Sequence, residues 1–188
     1  MTDPASALEV ARRPAGQIAF RRLAEEDLPE LFAWLSAPHV SKWYAPAPTS
    51  YAEVVARYGP RTEPGNAVRA DLVLLDGVAV GYAQTYAVGA FPEYAQALAC
   101  GPGVAAMDLF IGEAARIGRG LGPRVIRRYV EEVVFADPSV NACVAGPTEG
   151  HAASIRAFEK AGFRRWKVVH PPHSPIECTL RLDRAAGA

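Results

Sequence analysis

The sequence lacks an excess of charge of either sign and lacks any long hydrophobic run. Its 188 residues contain 20 Lys and Arg against 20 Asp and Glu, so the formal net charge is zero. General nucleic-acid-binding proteins are normally basic, and we therefore expect no nucleic-acid partner. No apolar stretch approaches the roughly 18 residues of a membrane span, so we expect no membrane partner. The first 16 residues also lack the charged-then-apolar pattern of a signal peptide.

Cysteine is scarce, and its spacing excludes two further classes of protein. Cys100, Cys143 and Cys178 are odd in number and far apart, unlike the cysteines of a disulfide-rich secreted scaffold. They also do not form a zinc or redox spacing, so we expect no metal site. We interpret them as reduced thiols of a cytoplasmic protein.

What the chain does have is enough apolar sequence for one sizeable core, since half of its residues are hydrophobic. Residues 1–16 predict a loose N-terminal segment and residues 17–188 a single domain. The periodicity predicts a strand, two helices, three strands, a helix, a strand, a helix and two strands. The Asp76-Gly77 pair predicts a hairpin between two of these strands, whereas residues 89–102 are irregular. This order predicts a mixed α/β sheet.

The sharpest local feature is a glycine-rich turn between a strand and a helix. Glycines let the backbone approach a ligand closely, and the free N–H groups at a helix start favour an anion. A phosphate or pyrophosphate site is thus predicted, the alternative being a plain glycine-rich loop. The turn lacks the GK[ST] ending of a P-loop. A dinucleotide-binding fold has an acidic residue about 20 positions after its glycines, whereas position 141 here is Asn. The turn consists of Arg116, Ile117, Gly118, Arg119, Gly120, Leu121 and Gly122.

With this turn the chain resembles the GCN5-related N-acetyltransferases (GNAT), in which an R/Q-x-x-G-x-G/A turn holds the pyrophosphate of acetyl-CoA. Ile117 stands at the usual Arg/Gln position, with Arg116 one step earlier. A second family block, a helix ending in E-K-x-G-F, matches residues 151–163. The resemblance implies a central, mostly antiparallel, splayed β-sheet flanked by helices. It also implies an acetyl-CoA-dependent N-acetyltransferase.

Within the family the chain is most similar to the aminoglycoside 6'-N-acetyltransferases, from about residue 28 to residue 182. The resemblance implies that the acceptor is a small-molecule amine, the 6'-amino group of an aminoglycoside antibiotic, and that the enzyme confers resistance. Aromatic walls with an amide suit a sugar-like ligand, although core packing is the alternative for each aromatic residue. The positions that match the substrate cleft are Trp43, Tyr44, Tyr82, Gln84 and Tyr86.

Acetyl transfer to an amine needs a base for the amine proton and an N–H donor for the carbonyl oxygen. Asp108 is the only acid in the apolar strand GVAAMDLFI, and alternation turns it away from Met107 and Leu109. We predict that Asp108 is the base, the alternative being an acid hydrogen-bonded to a neighbouring strand. The predicted cofactor contacts beyond the turn are the backbone of Leu109, Phe110 and Ile111 with the helix residues His151, Ser154 and Phe158.

Some positions depart from the family pattern. Phe158 replaces a frequent Tyr and has no proton for the leaving thiolate. The candidate substitutes are His151 and Ser154, the alternative being a thiolate that leaves unassisted. Acids common in the similar enzymes are replaced by Gly101, Gly146 and His173. We expect Glu93, or else Glu149, to replace them in substrate binding, and Glu177 lies in the last strand.

These departures keep other functions open. One is acetylation of a different amine: a polyamine, a lysine-type siderophore precursor or a protein N-terminus. Another is an acyl-CoA-binding module without catalysis, and a third is a nucleotide-binding module. We expect a monomer or a homodimer, since exposed sheet edges would allow two copies to pair.

Overall fold

A computed structural model describes residues 16–44, 46–171 and 175–185. The predicted loose segment, residues 1–16, therefore lies outside the described residues apart from Gly16. The strands are β1 (Ile18–Arg22), β2 (Val68–Leu75), β3 (Val78–Ala87), β4 (Val104–Ile111), β5 (Ala142–Ala145), β6 (Arg164–Val169) and β7 (Glu177–Asp183). The helices are α1 (Leu28–Ser36), α2 (Pro38–Ser41), α3 (Tyr51–Tyr58), α4 (Pro92–Leu98), α5 (Leu121–Tyr129) and α6 (Ala152–Lys160).

Local sequence signals account for several of these boundaries. Ser50 caps α3, because its hydroxyl accepts a hydrogen bond from the Glu53 N–H at 3.3 Å. Asp76 and Gly77 both adopt positive φ, 54° and 86°, as a two-residue hairpin turn requires. The irregular stretch 89–102 contains a helix that periodicity did not predict, α4. Pro92 begins it and Leu98 is buried, and seven residues are too few for a clear helical pattern.

The sheet has the order β1-β2-β3-β4-β5-β7-β6. β4 and β5 run parallel, and the other neighbouring pairs of described strands run antiparallel. β5 pairs with β4 only from Val104 to Ala106, so the rest of β4 has no described strand on that side. The mixed, mostly antiparallel and splayed sheet predicted from the sequence is confirmed, and the splay opens along residues 107–111.

The two faces of the sheet carry different apolar clusters, which position the site. One face packs on α5 and α6 and includes Met107, Val125 and Phe158. The other face carries two clusters, one beneath α1 and α3 and one beneath α4. Because β-strand side chains alternate, Asp108 lies on this second face, between Ala106 in the α4 cluster and Phe110 in the α1–α3 cluster. No helix in the described ranges is long and apolar enough to cross a bilayer.

Candidate functional site

A cleft of about 600 Å³ opens on the second face of the sheet, between the two apolar clusters. Asp108 lies in its floor opposite Gln84, its partner across the β3–β4 ladder. Carboxylates and aromatic rings make up much of the remaining wall. The principal lining residues are Arg61, Gln84, Tyr86, Phe91, Glu93, Tyr94, Asp108 and Glu177.

A chain of hydrogen bonds reaches the Asp108 carboxylate. Gln84 Nε2 donates to Asp108 Oδ2 at 2.7 Å. Gln84 Oε1 in turn accepts from the Arg61 guanidinium and from the Tyr82 hydroxyl, the latter at 2.8 Å. These donors fix the amide so that its NH₂ group faces the carboxylate.

Burial raises the pKa of Asp108 above the ordinary aspartate value, because desolvation disfavours the charged form. The hydrogen bond from Gln84 and the positive charges of Arg61 and Arg57 oppose that rise. A carboxylate whose pKa is raised towards that of its proton donor is a better base than an ordinary surface aspartate. Asp108 is thus suited to accept a proton within the cleft.

A second carboxylate, Glu177, lies in the cleft wall at the start of β7. The hydroxyl of Tyr94 on α4 donates a hydrogen bond to Glu177 Oε2 at 3.1 Å. Burial is the main cause that raises the pKa of Glu177 to about 7, and the negative charge of Asp108 adds to the rise. Glu93 is exposed at the rim of the same cleft. Glu149, its predicted alternative, is exposed and is not among the lining residues.

The predicted substrate residues take different positions. Gln84, Tyr86 and Glu93 line the cleft. Tyr82 differs from its prediction, because it is fully buried and lies beneath the cleft, where it holds Gln84. Burial by α3 causes this: Tyr58 packs edge-on against the Tyr82 ring, at a centroid distance of 5.7 Å.

Two further predicted substrate residues, Trp43 and Tyr44, are not among the residues that line the cleft. Trp43 stacks on His151, with ring centroids 4.2 Å apart and planes 4° apart. Tyr44 packs edge-on against Phe110 at 5.0 Å. The stacked pair thus joins the segment after α2 to the start of α6.

The glycine-rich turn has the properties of an anion site. Gly118 and Gly120 adopt positive φ, 73° and 75°, and a Cβ built on either would meet no described atom within 4 Å. Arg116, Ile117 and Arg119 are exposed. Among the residues that the structure describes, no side chain caps the start of α5 at Gly120, and its first turn holds no acid, so its N–H groups are free for a ligand. The turn therefore fits a diphosphate.

The other predicted cofactor residues divide by accessibility. Ser154 and His151 are half-buried on α6, and the β5-facing edge of residues 109–111 has no described strand beside it. The side chains of Leu121 and Phe158 differ from their prediction, since both are buried in the core. Phe158 packs edge-on against Phe163 at 5.1 Å. These two side chains pack in the core beneath the site, and Leu121 contributes only its backbone to the turn.

Sequence reasoning missed Arg61 and Tyr94 and gave Glu177 no role. Arg61 follows α3 in a short 3₁₀ turn, Gly59–Thr62, and nothing in the local sequence distinguishes it from a solvated arginine. Tyr94 belongs to the unpredicted helix α4. The sequence does contain one indication of a role for Glu177. It is an acid at the start of a strand, next to the Pro-rich stretch 171–175, and acids are rarely buried in a core.

Comparison with known proteins gives consistent relatives. Residues 24–170 match the model of an acetyltransferase (GNAT) domain. The aminoglycoside N(6')-acetyltransferase type 1 of Klebsiella pneumoniae is 32% identical over 171 residues, which span 89% of this chain and 84% of the relative. A kanamycin resistance protein of Rhizobium radiobacter is 38% identical over 84 residues, 45% of this chain and 77% of the relative.

Solved structures agree. The aminoglycoside acetyltransferase AAC(6')-Ib in complex with coenzyme A and kanamycin superposes with a TM-score of 0.75 at 30% identity, covering 89% of this chain and 95% of that chain. The family model covers most of the sequence, and the sheet has the predicted splay. The chain belongs to the GNAT family of acetyltransferases.

Proposed function

We propose that this acetyltransferase moves the acetyl group of acetyl-CoA to a primary amine of an aminoglycoside, most specifically the 6'-amino group. The observation that carries the proposal is the charge of the cleft. Asp108, Glu177 and Glu93 line it, against one guanidinium among the described lining residues, that of Arg61. Arg61 already donates to Gln84 and Tyr82, so the carboxylates are left to attract a polycationic ligand.

The relatives support the same substrate class. Their names include aminoglycoside N(6')-acetyltransferase and kanamycin resistance protein, and AAC(6')-Ib has been solved with coenzyme A together with kanamycin. The identity is 30–32% and the matched region spans 89% of this chain. This similarity supports a role of the chain in aminoglycoside resistance.

The groups that would hold acetyl-CoA lie at the turn and at the splay. The N–H groups at the start of α5, with Arg116 and Arg119 beside them, would hold the diphosphate. The free backbone edge of residues 109–111 would bind the pantetheine arm and present an N–H to the carbonyl oxygen. Bound acetyl-CoA supplies the acyl thioester.

The chain's own residues supply the proton chemistry. Asp108 accepts a proton from the acceptor ammonium, which leaves a neutral amine with a free electron pair. Gln84 steadies the Asp108 carboxylate at 2.7 Å, and Arg61 holds the Gln84 amide in the required orientation. Phe158 offers no proton and is buried, so we assign protonation of the thiolate to His151 or Ser154, which are accessible on α6.

We also propose that the protein acts in the cytoplasm. Cys100, Cys143 and Cys178 are free thiols, which supports a reducing compartment. The single domain over residues 17–188 and the monomeric or homodimeric state stay predictions.

An acceptor survey by thiol release tests the proposed function. We expect turnover with kanamycin-class aminoglycosides and little or none with spermidine, lysine or an N-terminal peptide. A rate with one of those amines and none with any aminoglycoside would replace the substrate. Tight acetyl-CoA binding without turnover on any amine would identify a non-catalytic module.

The Arg61→Gln variant tests the hydrogen-bond chain. Loss of the guanidinium removes a positive charge that lowers the pKa of Asp108. The pKa of Asp108 therefore rises, the base is ionised only at higher pH, and the acid limb of kcat/KM against pH moves upward. Besides Arg61, the groups that act on the Asp108 carboxyl are Gln84, through its hydrogen bond, and Arg57 and Glu177, through their charges.

Arg57→Gln is the matched control, because Arg57 also lowers the pKa of Asp108 but lies exposed on α3, where its guanidinium donates to the Pro46 carbonyl. We expect a smaller displacement of its acid limb. Equal displacement in both variants would show that Arg61 acts only as a distant charge and does not position the amide.

A further inference from the structure

The side chain of Glu177 fills the space directly beside Gly146 in the cleft wall. Glu177 pairs with Thr148 in an isolated antiparallel bridge, so its side chain lies diagonally beside Gly146 on the neighbouring strand. A Cβ built on Gly146 would lie 2.5 Å from Glu177 Cδ and closer still to its Oε2. Any side chain at position 146 would therefore displace the Glu177 carboxylate from its present position.

Gly146 directly follows β5, whose register places it on the same face of the sheet as Asp108. On this face Ala142 and Val144 join the α4 cluster, while Cys143 and Ala145 turn to the opposite face. Alternation thus directs position 146 into the cleft. The carboxylate of Glu177 occupies the space into which a residue 146 side chain would project.

The surroundings of Glu177 leave its carboxylate oxygens accessible to a ligand. It lines the cleft together with Asp108, Glu93 and Arg61. Within residues 16–44, 46–171 and 175–185, its carboxylate makes one hydrogen bond, with the Tyr94 hydroxyl, and no ion pair. A partly buried carboxylate with one neutral donor retains acceptor sites for a cationic group.

We propose that Glu177 binds a second ammonium group of the acceptor, away from the reacting amine at Asp108, and that Gly146 is the residue that makes room for it. The proposal rests on the proposed function, because it assumes an acceptor with more than one amine. It makes Glu177 a specificity-determining residue: it favours polyamino sugars over sugars that carry one amine.

Stabilisation of a bound ammonium also follows from the position of Glu177. The guanidinium of Arg61, the one cation lining the cleft in the described part of the chain, donates to Gln84 and Tyr82. An incoming ammonium group therefore meets Glu177 without displacing an internal ion pair. A hydrogen bond to a charged group contributes about 1.5–3 kcal/mol, which corresponds to roughly 10- to 150-fold in affinity.

The test compares two acceptors in the wild-type enzyme and in Glu177→Gln. One acceptor is kanamycin, and the other is 6-amino-6-deoxyglucose, a sugar with a single comparable amine. We expect the ratio of kcat/KM for kanamycin to that for the single-amine sugar to fall by about 10- to 100-fold in Glu177→Gln, mainly through a higher KM for kanamycin. An unchanged ratio would overturn the proposal.

A relocated acid provides the second arm. Gly146→Ala displaces the Glu177 carboxylate without supplying a new acid, so it should raise the KM for kanamycin. In the double variant Gly146→Asp with Glu177→Ala the new carboxylate enters the vacated volume, so its KM should be lower than that of Glu177→Ala alone. If the double variant is no better than Glu177→Ala while both bind acetyl-CoA as the wild type does, the volume is not an ammonium site.

Two controls separate the possible failures. Tyr94→Phe removes the hydroxyl that contacts Glu177 but keeps the carboxylate, and we expect a smaller fall in the ratio than for Glu177→Gln. An equal fall would overturn the proposal, because Glu177 would then act by anchoring α4. If the wild-type enzyme acetylates the other amines of the survey and no aminoglycoside, the proposed function fails, whatever the variants do.

Discussion

Asp108→Asn is expected to lower kcat about 10²- to 10⁴-fold while acetyl-CoA binds as tightly as to the wild type. The substitution removes the carboxylate in the cleft floor that accepts the ammonium proton, yet it keeps the shape of the side chain. The amide oxygen of the variant side chain can still accept the hydrogen bond that Gln84 Nε2 donates to Asp108 in the wild type. Steady-state turnover with kanamycin and calorimetric titration with acetyl-CoA measure the two effects separately.

The same variant should not lose stability. Burial raises the pKa of Asp108, which means that its ionised form is disfavoured in the folded state relative to water. A neutral amide avoids that cost, so we expect the melting temperature of Asp108→Asn to equal or exceed that of the wild type near neutral pH. Wild-type turnover in a fully folded Asp108→Asn protein would reject Asp108 as the base.

The parts of the site that local sequence determines were predictable. Alternation along β4 predicts Asp108 on the face opposite Met107. The structure agrees, since Met107 packs in the α5–α6 cluster and Asp108 lies on the other face. The glycine-rich turn was also readable, since Gly118 and Gly120 occupy backbone conformations that other residues rarely adopt. Both features depend only on residues that are neighbours in the chain.

The remaining site residues depend on contacts between distant segments. β7 inserts between β5 and β6, and only that order brings Glu177 over Gly146. Arg61 reaches Gln84 because the 3₁₀ turn after α3 lies against β2, the strand next to β3. No periodicity within one segment reports such a meeting, which is why Arg61 went unnoticed and Glu177 had no role.

Tyr82 is the opposite case, a residue that the sequence predicts to be in the cleft and that the structure buries beneath it. It lies on β3 two residues before Gln84 and on the same face, so alternation could not separate a cleft residue from a buried one. The depth of each position depends on what covers it. Tyr58 and the guanidinium of Arg61 cover Tyr82, whereas Gln84 faces the cleft.

Gly120→Asp is the second variant for which we expect a large effect, this time on the affinity for acetyl-CoA. The new carboxylate would project into space that is open around Gly120, beside the free N–H groups at the start of α5. There it would repel the diphosphate and compete for the same donors. We expect the Kd for acetyl-CoA, measured by calorimetry, to rise on the order of 100-fold.

Gly65→Asp is a matched control, because Gly65 has a similar positive φ, 82°, and equally open surroundings, but lies outside the turn. Both substitutions carry the cost of placing a side chain in the left-handed region, about 1–2 kcal/mol. At Gly120 the new carboxylate also caps α5, so the melting temperature of Gly120→Asp should fall no further than that of Gly65→Asp. Only Gly120→Asp should weaken acetyl-CoA binding. Equal Kd values in the two variants would place the diphosphate elsewhere, and thermal protection of the wild type by ATP or NAD instead of coenzyme A would indicate a nucleotide site at the turn.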